Sequence, residues 1–194
     1  MAPLPAASDG TGIAARFAAA SRLRERRLVR DAQRGSAEAL ELLFRRHWAG
    51  AYRAAWVVIR DAAAAEDIAQ EAFIAAVRAL DRFDRRRPFA PWLHRIVVNR
   101  AIDAARSRAL RREVDAAAAE DAAADPPPEP LSDELTAALA ELGTEHRAVV
   151  ALRYLLDYTP GEIATLLELP RGTVNSRLRR ALDRLAELLG EEGR

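Results

Sequence analysis

Arg171, Thr173, Asn175, Ser176, Arg177, Arg179 and Arg180 fall within ten residues of one another in the segment RGTVNSRLRRALDR (171–184). At 100° per residue, Val174, Leu178 and Leu185 centre one apolar stripe. Ser176, Arg179, Arg180 and Asp183 lie opposite it, with Asn175, Arg177 and Arg184 on the flanks. Arginine donates a planar fork to guanine, asparagine pairs bidentately with adenine, and hydroxyls or arginines hold phosphates. The set is equipped to read duplex DNA in the major groove. An isolated charge run of this kind also suits a merely solvated helix face, so its setting decides between the two.

A second set lies between residues 83 and 106. Arg85, Arg86 and Arg87 stand between Phe83 and Phe89, and Trp92, Ile96, Asn99, Asp103 and Arg106 follow at steps of four, three, four and three. Arg95 and Arg100 add charge nearby. Residues 82–112 carry ten Arg against two acids. Basic groups interleaved with aromatics are what a single-strand binder uses: phosphates are neutralised while unstacked bases sit on rings or in pockets. The competing assignments are a generic basic loop for the arginines and a partly buried core position for Trp92.

A third set has the opposite sign. Glu66-Asp67-Ile68-Ala69-Gln70-Glu71 puts Asp67, Gln70 and Glu71 on neighbouring turns of one helix face. Such a face repels DNA and suits a basic protein partner, although acids near a helix N-terminus are also expected from the macrodipole.

The chemistry that is missing narrows the reading. There is no cysteine, so no disulfide, thiolate metal site or cysteine nucleophile. His47, His94 and His146 fall on separate segments, with no HExxH and no Gly-rich phosphate loop. An enzyme is not expected, nor a metal or cofactor. No apolar run reaches the 18 or more residues that span a bilayer, and the start MAPLPAASDG lacks a signal-peptide pattern. A cytoplasmic protein without membrane insertion is expected.

The elements that must position these residues all carry helical periodicity, and none carries a period of two. Residues 1–20 are Ala/Pro/Gly-rich and are expected to be disordered. A short charged helix is expected over Arg22–Gln33. Ser36 can cap a second helix with Leu40, Leu43, Phe44, Trp48, Ala51, Tyr52, Ala55 and Val58 inward. Asp61 can cap a third, with Ala65, Ile68, Ala72, Phe73, Ala76 and Leu80 inward. A break with Pro88 and Pro91 precedes a fourth helix, from about Trp92 to Arg112. After a linker at 113–131 (EVDAAAAEDAAADPPPEPL), helices are expected over Asp133–Leu142 and from Thr144, as cap, through Leu156. Thr159-Pro160-Gly161-Glu162 is a capping box opening a short helix. A break at Glu168-Leu169-Pro170 leads into the final helix, whose stripe is Val174, Leu178, Ala181, Leu182, Leu185 and Leu189. Short helix, tight turn and longer helix make a helix-turn-helix, which favours the DNA reading of residues 171–180. The fold class is all-α: one helical bundle at 21–112, a flexible acidic linker at 113–131, and a helix-turn-helix domain at 132–190.

The net charge of +1 conceals a segregation. Residues 1–112 hold 22 Arg against 12 acids, residues 113–146 hold ten acids and no Lys or Arg, and residues 147–194 hold eight Arg and seven acids. Such asymmetry points to a polyanionic partner for the basic part, and to an association of the two oppositely charged segments that lowers DNA affinity in the free protein.

AEDIAQEAF (65–73), the stretch from Phe83 through WLHRIVVNRAIDAAR (92–106), and TPGEIATLLELPRGTVNSRLRRALDRL (159–185) resemble regions two and four of extracytoplasmic-function sigma factors, the small two-domain members of the sigma-seventy class. The resemblance covers about residues 22–189. It implies a promoter-specificity subunit of bacterial RNA polymerase. Asp67, Gln70 and Glu71 would dock on the clamp helices of the largest core subunit, and the second domain on the flap of the second-largest. The 85–91 loop and Asn99 match positions that melt the minus-ten element and capture a non-template base. Asn175, Ser176, Arg179 and Arg180 match minus-thirty-five contacts. The linker matches the segment threaded toward the active centre. An anti-sigma factor joins the candidate partners, beside core polymerase and promoter DNA. Two departures from the family pattern are Glu168, where such turns often carry Gly, and the Pro88/Pro91 pair. The alternative is a helix-turn-helix regulator acting as a homodimer.

Overall fold

A computed structural model describes residues 10–114 and 131–191. They form eight α-helices: α1 (Gly10–Ala32), α2 (Ala37–Ile59), α3 (Ala62–Ala79), α4 (Phe89–Val114), α5 (Asp133–Ala140), α6 (Thr144–Val150), α7 (Pro160–Leu167) and α8 (Arg171–Glu191). A 3-10 turn at Leu80–Arg82 follows α3, and a π-helical turn at Ala151–Leu155 follows α6. The described residues contain no strand. None of their helices is long and apolar enough to cross a membrane.

The first module is α1–α4. Ser36 caps α2 by accepting from the Ala39 N–H at 3.2 Å, and Asp61 caps α3 by accepting from Ala64 N–H at 2.7 Å. Between them, Arg60 takes a left-handed conformation (φ 60°) and its N–H closes α2 on the Trp56 carbonyl at 2.7 Å. Alanines 65, 69, 72 and 76 are buried along α3, so α2 and α4 can approach it closely. Trp56, Leu93, Val97 and Val98 fill the space between these helices.

The second module is α5–α8. The capping box at the start of α7 is complete: the Thr159 N–H donates to Glu162 Oε2 at 2.8 Å, and Glu162 N–H to Thr159 Oγ1 at 3.3 Å. Ile163 and Leu166 of α7 pack with Val174, Leu178 and Ala181 of α8. The two modules share one hydrophobic cluster, because α6 and the π turn lie against α2, while α6 and α7 lie against α4.

Several boundaries differ from those the pattern predicts. The first helix starts at Gly10, so residues 10–20 are helical rather than disordered; their alanines favour helix. Residues 1–9 lie outside the described residues, as does linker segment 115–130. The linker's ends belong to structure: residues 113–114 extend α4, and Leu131 packs on the second module. Thr144 is the first residue of α6 and not its cap, the cap position being Gly143. That helix stops at Val150, where the chain widens into the π turn, Leu156 N–H reaching back to Ala151 O. On α2 the inward stripe is Ala39, Leu43, His47, Ala51, Ala54 and Val58, leaving Phe44 40% exposed. Residues 54–59 are all buried because the second module covers the side that a lone bundle would leave wet. On α8, Leu182 and Leu189 are exposed.

Candidate nucleic-acid interface

The turn between α7 and α8 sets the direction of α8. It closes with Leu169 N–H on Ala164 O at 2.9 Å, and α8 starts with Thr173 and Val174 N–H groups on the Pro170 carbonyl. Val174, Leu178, Ala181 and Leu185 are buried. That packing turns Arg171, Asn175, Arg179 and Arg180 to solvent, while Thr173 and Ser176 are half-buried. These donors lie along the first three turns of one helix, the length that enters a major groove. Arg177 differs: its side chain is 25% exposed and bonds Glu145 Oε2 at 2.5 Å. His146, beside this helix, is held below the usual imidazole range by burial and by Arg177 and Arg180.

The 83–91 loop is pinned by aromatic packing. Phe83 and Phe89 are buried, with ring centroids 5.9 Å apart, and half-buried Trp92 lies 4.5 Å from Phe83. Phe89, expected to touch the melted strand, is 4% exposed and packs against His47, Phe83 and Trp92, so its place is beneath the loop. Arg85, Arg86 and Arg87 are exposed above it. Asp84 accepts from both the backbone and the guanidinium of Arg86, which holds its carboxyl below the usual range. Gln33, in the turn that follows α1, donates to the carbonyls of Leu80 and Phe83 at 2.8 and 2.9 Å. A concavity of ≈ 490 Å³ opens beside it, lined by Gln33, Asp81, Phe83, Asp84 and Arg85. Sequence periodicity gave no sign of Gln33, since one amide at a helix end has no pattern.

Along α4, Asn99 and Asp103 are exposed. Arg100 reaches Glu71 of α3 at 2.5 Å, Arg95 reaches Glu168 at 2.5 Å, and Arg106 bonds Glu145. Trp92, Asn99, Asp103 and Arg106 thus share one side of the helix as their spacing predicts. Arg95, Arg100 and Arg106 are thereby engaged by carboxylates from α3 and from the second module.

Asp67, Gln70 and Glu71 are exposed together on α3, with Gln70 donating to Glu66 at 3.1 Å. The same face continues into Ile74 and Val77, 50% and 49% exposed, which meet Phe44 and Leu40 of α2 around a shallow groove of ≈ 560 Å³. These apolar members were missed, although steps of three and four from Asp67, Gln70 and Glu71 lead directly to them.

A helical bundle with an aromatic-backed basic loop, followed by a helix-turn-helix, defines a two-module DNA-binding protein. Profiles of Sigma-70 region 2 and Sigma-70 region 4 match residues 43–112 and 132–185. The RNA polymerase sigma factor CarQ of Myxococcus xanthus is 34% identical over 164 residues, 81% of this chain and 92% of that one. The ECF RNA polymerase sigma factor SigL of Mycobacterium tuberculosis is 33% identical over 175 residues, 85% of this chain and 97% of its own. Among solved structures, CnrH in complex with the cytosolic domain of CnrY is 30% identical, covering 86% of this chain and 97% of that one, with a TM-score of 0.66. The fold is shared as well with the sigma factor RpoE of Bartonella quintana, solved with the anti-sigma factor NepR, at a TM-score of 0.67 and 24% identity over 77% of this chain and 96% of that one. The chain belongs to the extracytoplasmic-function (ECF) family of RNA polymerase sigma factors. Residues 43–112 are its region 2 and residues 132–185 its region 4, of the kind that bind core RNA polymerase and promoter DNA.

Proposed function

We propose that this chain directs core RNA polymerase to promoters by reading the minus-thirty-five element with α8 and opening the minus-ten element with α4 and its preceding loop. The observation that carries this reading is the outward row Arg171, Asn175, Arg179 and Arg180, presented by a helix whose other side is locked into the helix-turn-helix core. On the duplex, these side chains hold the upstream element. Downstream, Arg85 and Arg87 neutralise phosphates while a base unstacks against the cavity beside Gln33 and Phe83. Asn99, Asp103 and Arg106 line the path beyond it. Capturing that base offsets an unpairing cost of a few kcal/mol. The Asp67–Gln70–Glu71 face, continued by Ile74 and Val77, suits a basic amphipathic helix of the core enzyme: the rim supplies charge and the centre supplies area. No covalent chemistry falls to the chain. The relatives solved with CnrY and NepR support an anti-sigma factor as a further partner here.

The test is run-off transcription with purified core polymerase. Addition of this protein should produce a defined transcript from a cognate promoter, with one copy of the chain per polymerase. A chain that joins core yet initiates nowhere would overturn the proposal.

A further inference from the structure

The cavity beside the 83–91 loop has a polarity that its arginine-rich surroundings conceal. Gln33, Asp81, Phe83, Asp84 and Arg85 line its ≈ 490 Å³. Arg85 is the one cation of that set, while the carboxylates of Asp81 and Asp84 can only accept hydrogen bonds. Asp84 is already engaged, by the Arg86 N–H at 3.0 Å and by the Arg86 guanidinium. Asp81 is exposed, and among the described residues no donor meets its carboxylate.

Gln33 supplies a further acceptor, because its amide can face only one way. Its Nε2 donates to Leu80 O at 2.8 Å and to Phe83 O at 2.9 Å. Turning the amide over would set its oxygen against those two carbonyls, so the orientation is fixed and Oε1 is left to accept. The same two bonds clasp the ends of the 3-10 turn, which the Phe83 N–H closes on Leu80 O at 3.0 Å. Gln33 precedes residues 43–112, the stretch that matches Sigma-70 region 2. This part of the wall therefore comes from outside that match.

We propose that the cavity selects the unpaired non-template base by its exocyclic amine, with Asp81 and Gln33 Oε1 as the acceptors, so that cytosine, adenine or guanine is favoured there and thymine is refused. This rests on reading the loop as the place of base capture. An exocyclic amine brings two N–H donors to a wall of acceptors. Thymine has none, and would turn carbonyl oxygens toward a carboxylate. Those oxygens would lose water and gain no donor, which is the dearest kind of mismatch. Arg85, at the rim, stays with the phosphate and offsets the repulsion between the carboxylates and the strand. Gln33 thus acts twice, positioning the turn through Nε2 and meeting the base through Oε1, whereas Asp81 only meets the base.

The experiment uses the full chain with core polymerase on a promoter from which it initiates. Each of the four bases is placed in turn at every non-template position of the minus-ten element. At one position thymine should lower both run-off yield and the affinity of the non-template single strand for the holoenzyme by about tenfold relative to the amino-bearing bases. Removing the amine alone, with 2-pyrimidinone in place of cytosine or purine in place of adenine, should reproduce that loss. Asp81→Asn, whose amide also donates, should shrink the discrimination to about twofold or less. Gln33→Leu should lower the yield on all four bases, since it unpins the turn as well; no loss would remove Gln33 from the site. A wild type indifferent to thymine at every position, a preference that survives loss of the amine, or one unchanged in Asp81→Asn would overturn the selection and leave the promoter reading standing. A chain that initiates from no promoter takes both down.

Discussion

His94 makes the contact between modules acid-sensitive, by an amount that can be worked out. Its ring is 7% exposed on α4, between His47 of α2 and Tyr158 of the second module. Burial, then the charge of His47, pull its pKa down to about 4, against an opposing pull from Glu25. Tyr158 is pushed up by burial and by Glu162 and Glu25, so it stays a phenol and its O–H can donate to a neutral His94. The unfolded chain takes up this proton near pH 6.5, the folded chain only near pH 4. The stability from neutral His94 is therefore complete above pH 7 and is lost as pH falls through 6.5 toward 4. At pH 5.5 protonation of the unfolded chain is worth about 1.4 kcal/mol, and at pH 7.5 less than ~0.1 kcal/mol. Thermal melts at these two pH values should differ by about 3–5 °C on account of this residue. His94→Gln keeps an acceptor for Tyr158 and removes the titration, so it should show a correspondingly smaller acid loss. Glu25 does not confuse the result: burial pushes it up, but His47, Arg46 and a Phe89 backbone hydrogen bond together hold it below the usual range, and it titrates under the window. His146, also lowered by burial, contributes equally to both proteins. Equal acid losses in wild type and His94→Gln would refute the reasoning.

Arg180→Ala should weaken promoter-dependent initiation by about tenfold, within the roughly 1–3 kcal/mol expected for a groove contact, with thermal stability unchanged because the side chain is exposed; equal transcript yields across several promoters would remove it from the reading set. Asn99→Ala should slow open-complex formation, followed by permanganate reactivity of unpaired thymines, while core affinity holds; lost core binding would make Asn99 structural. Ile74→Glu, at a half-exposed position, should lower core affinity about tenfold in a binding titration without moving the melting temperature, and unchanged affinity would exclude the apolar half of the α3 face. Glu168→Gly exchanges a strained φ of 55° for a glycine's entropy and the loss of an exposed ion pair. The gain of about 1–2 kcal/mol from relieving strain and a loss of about 0.5–1.5 kcal/mol nearly cancel. Melting should thus shift by no more than ~3 °C while the modules loosen; a large destabilisation would contradict the conformational argument.

The helices and the helix-turn-helix could be read from residues because each carries a local signal. Asp61 and Ser36 announce their helices through side-chain oxygens that serve the next turn's N–H groups, and Thr159 with Glu162 does so twice over. The α3 stripe of small residues reads correctly for the same reason, since one face packs and one does not. What failed was set by partners distant in sequence. The inward side of α2 includes Val57 because a module starting 75 residues later lies on it. Phe89 looked like an exposed aromatic among arginines, yet the loop needs a buried anchor to hold three like charges outward. Glu168 was visible as an anomaly, but its reason lies 73 residues away at Arg95. The outward row Arg171, Asn175, Arg179 and Arg180 was legible from type and spacing, whereas the engagement of Arg106 and Arg177 by Glu145, and of Arg100 by Glu71, was not, because ion pairs across helices leave no periodic trace.

The strength of the contact between modules follows from its exposure. Arg95 and Glu168 are 44% and 69% exposed, Arg106 and Glu145 64% and 30%. Pairs this wet are worth a few tenths to about 1 kcal/mol each and are screened within roughly 10 Å at 0.1 M salt. A buried network of the same residues would lock region 4 down beyond what displacement by polymerase could offset, and an absent one would leave the arginines free for any duplex. Arg177, at 25% exposure, is the most enclosed member, and Glu145 holds it from the same carboxyl group that holds Arg106. Taking Arg106 off Glu145 leaves that carboxylate to Arg177 alone, so the pair within the second module persists when α4 moves away. Ionic strength acts on the same pairs: raising salt from 50 to 300 mM should lengthen the inter-module distance in wild type and leave it nearly unchanged in Glu145→Gln/Glu168→Gln.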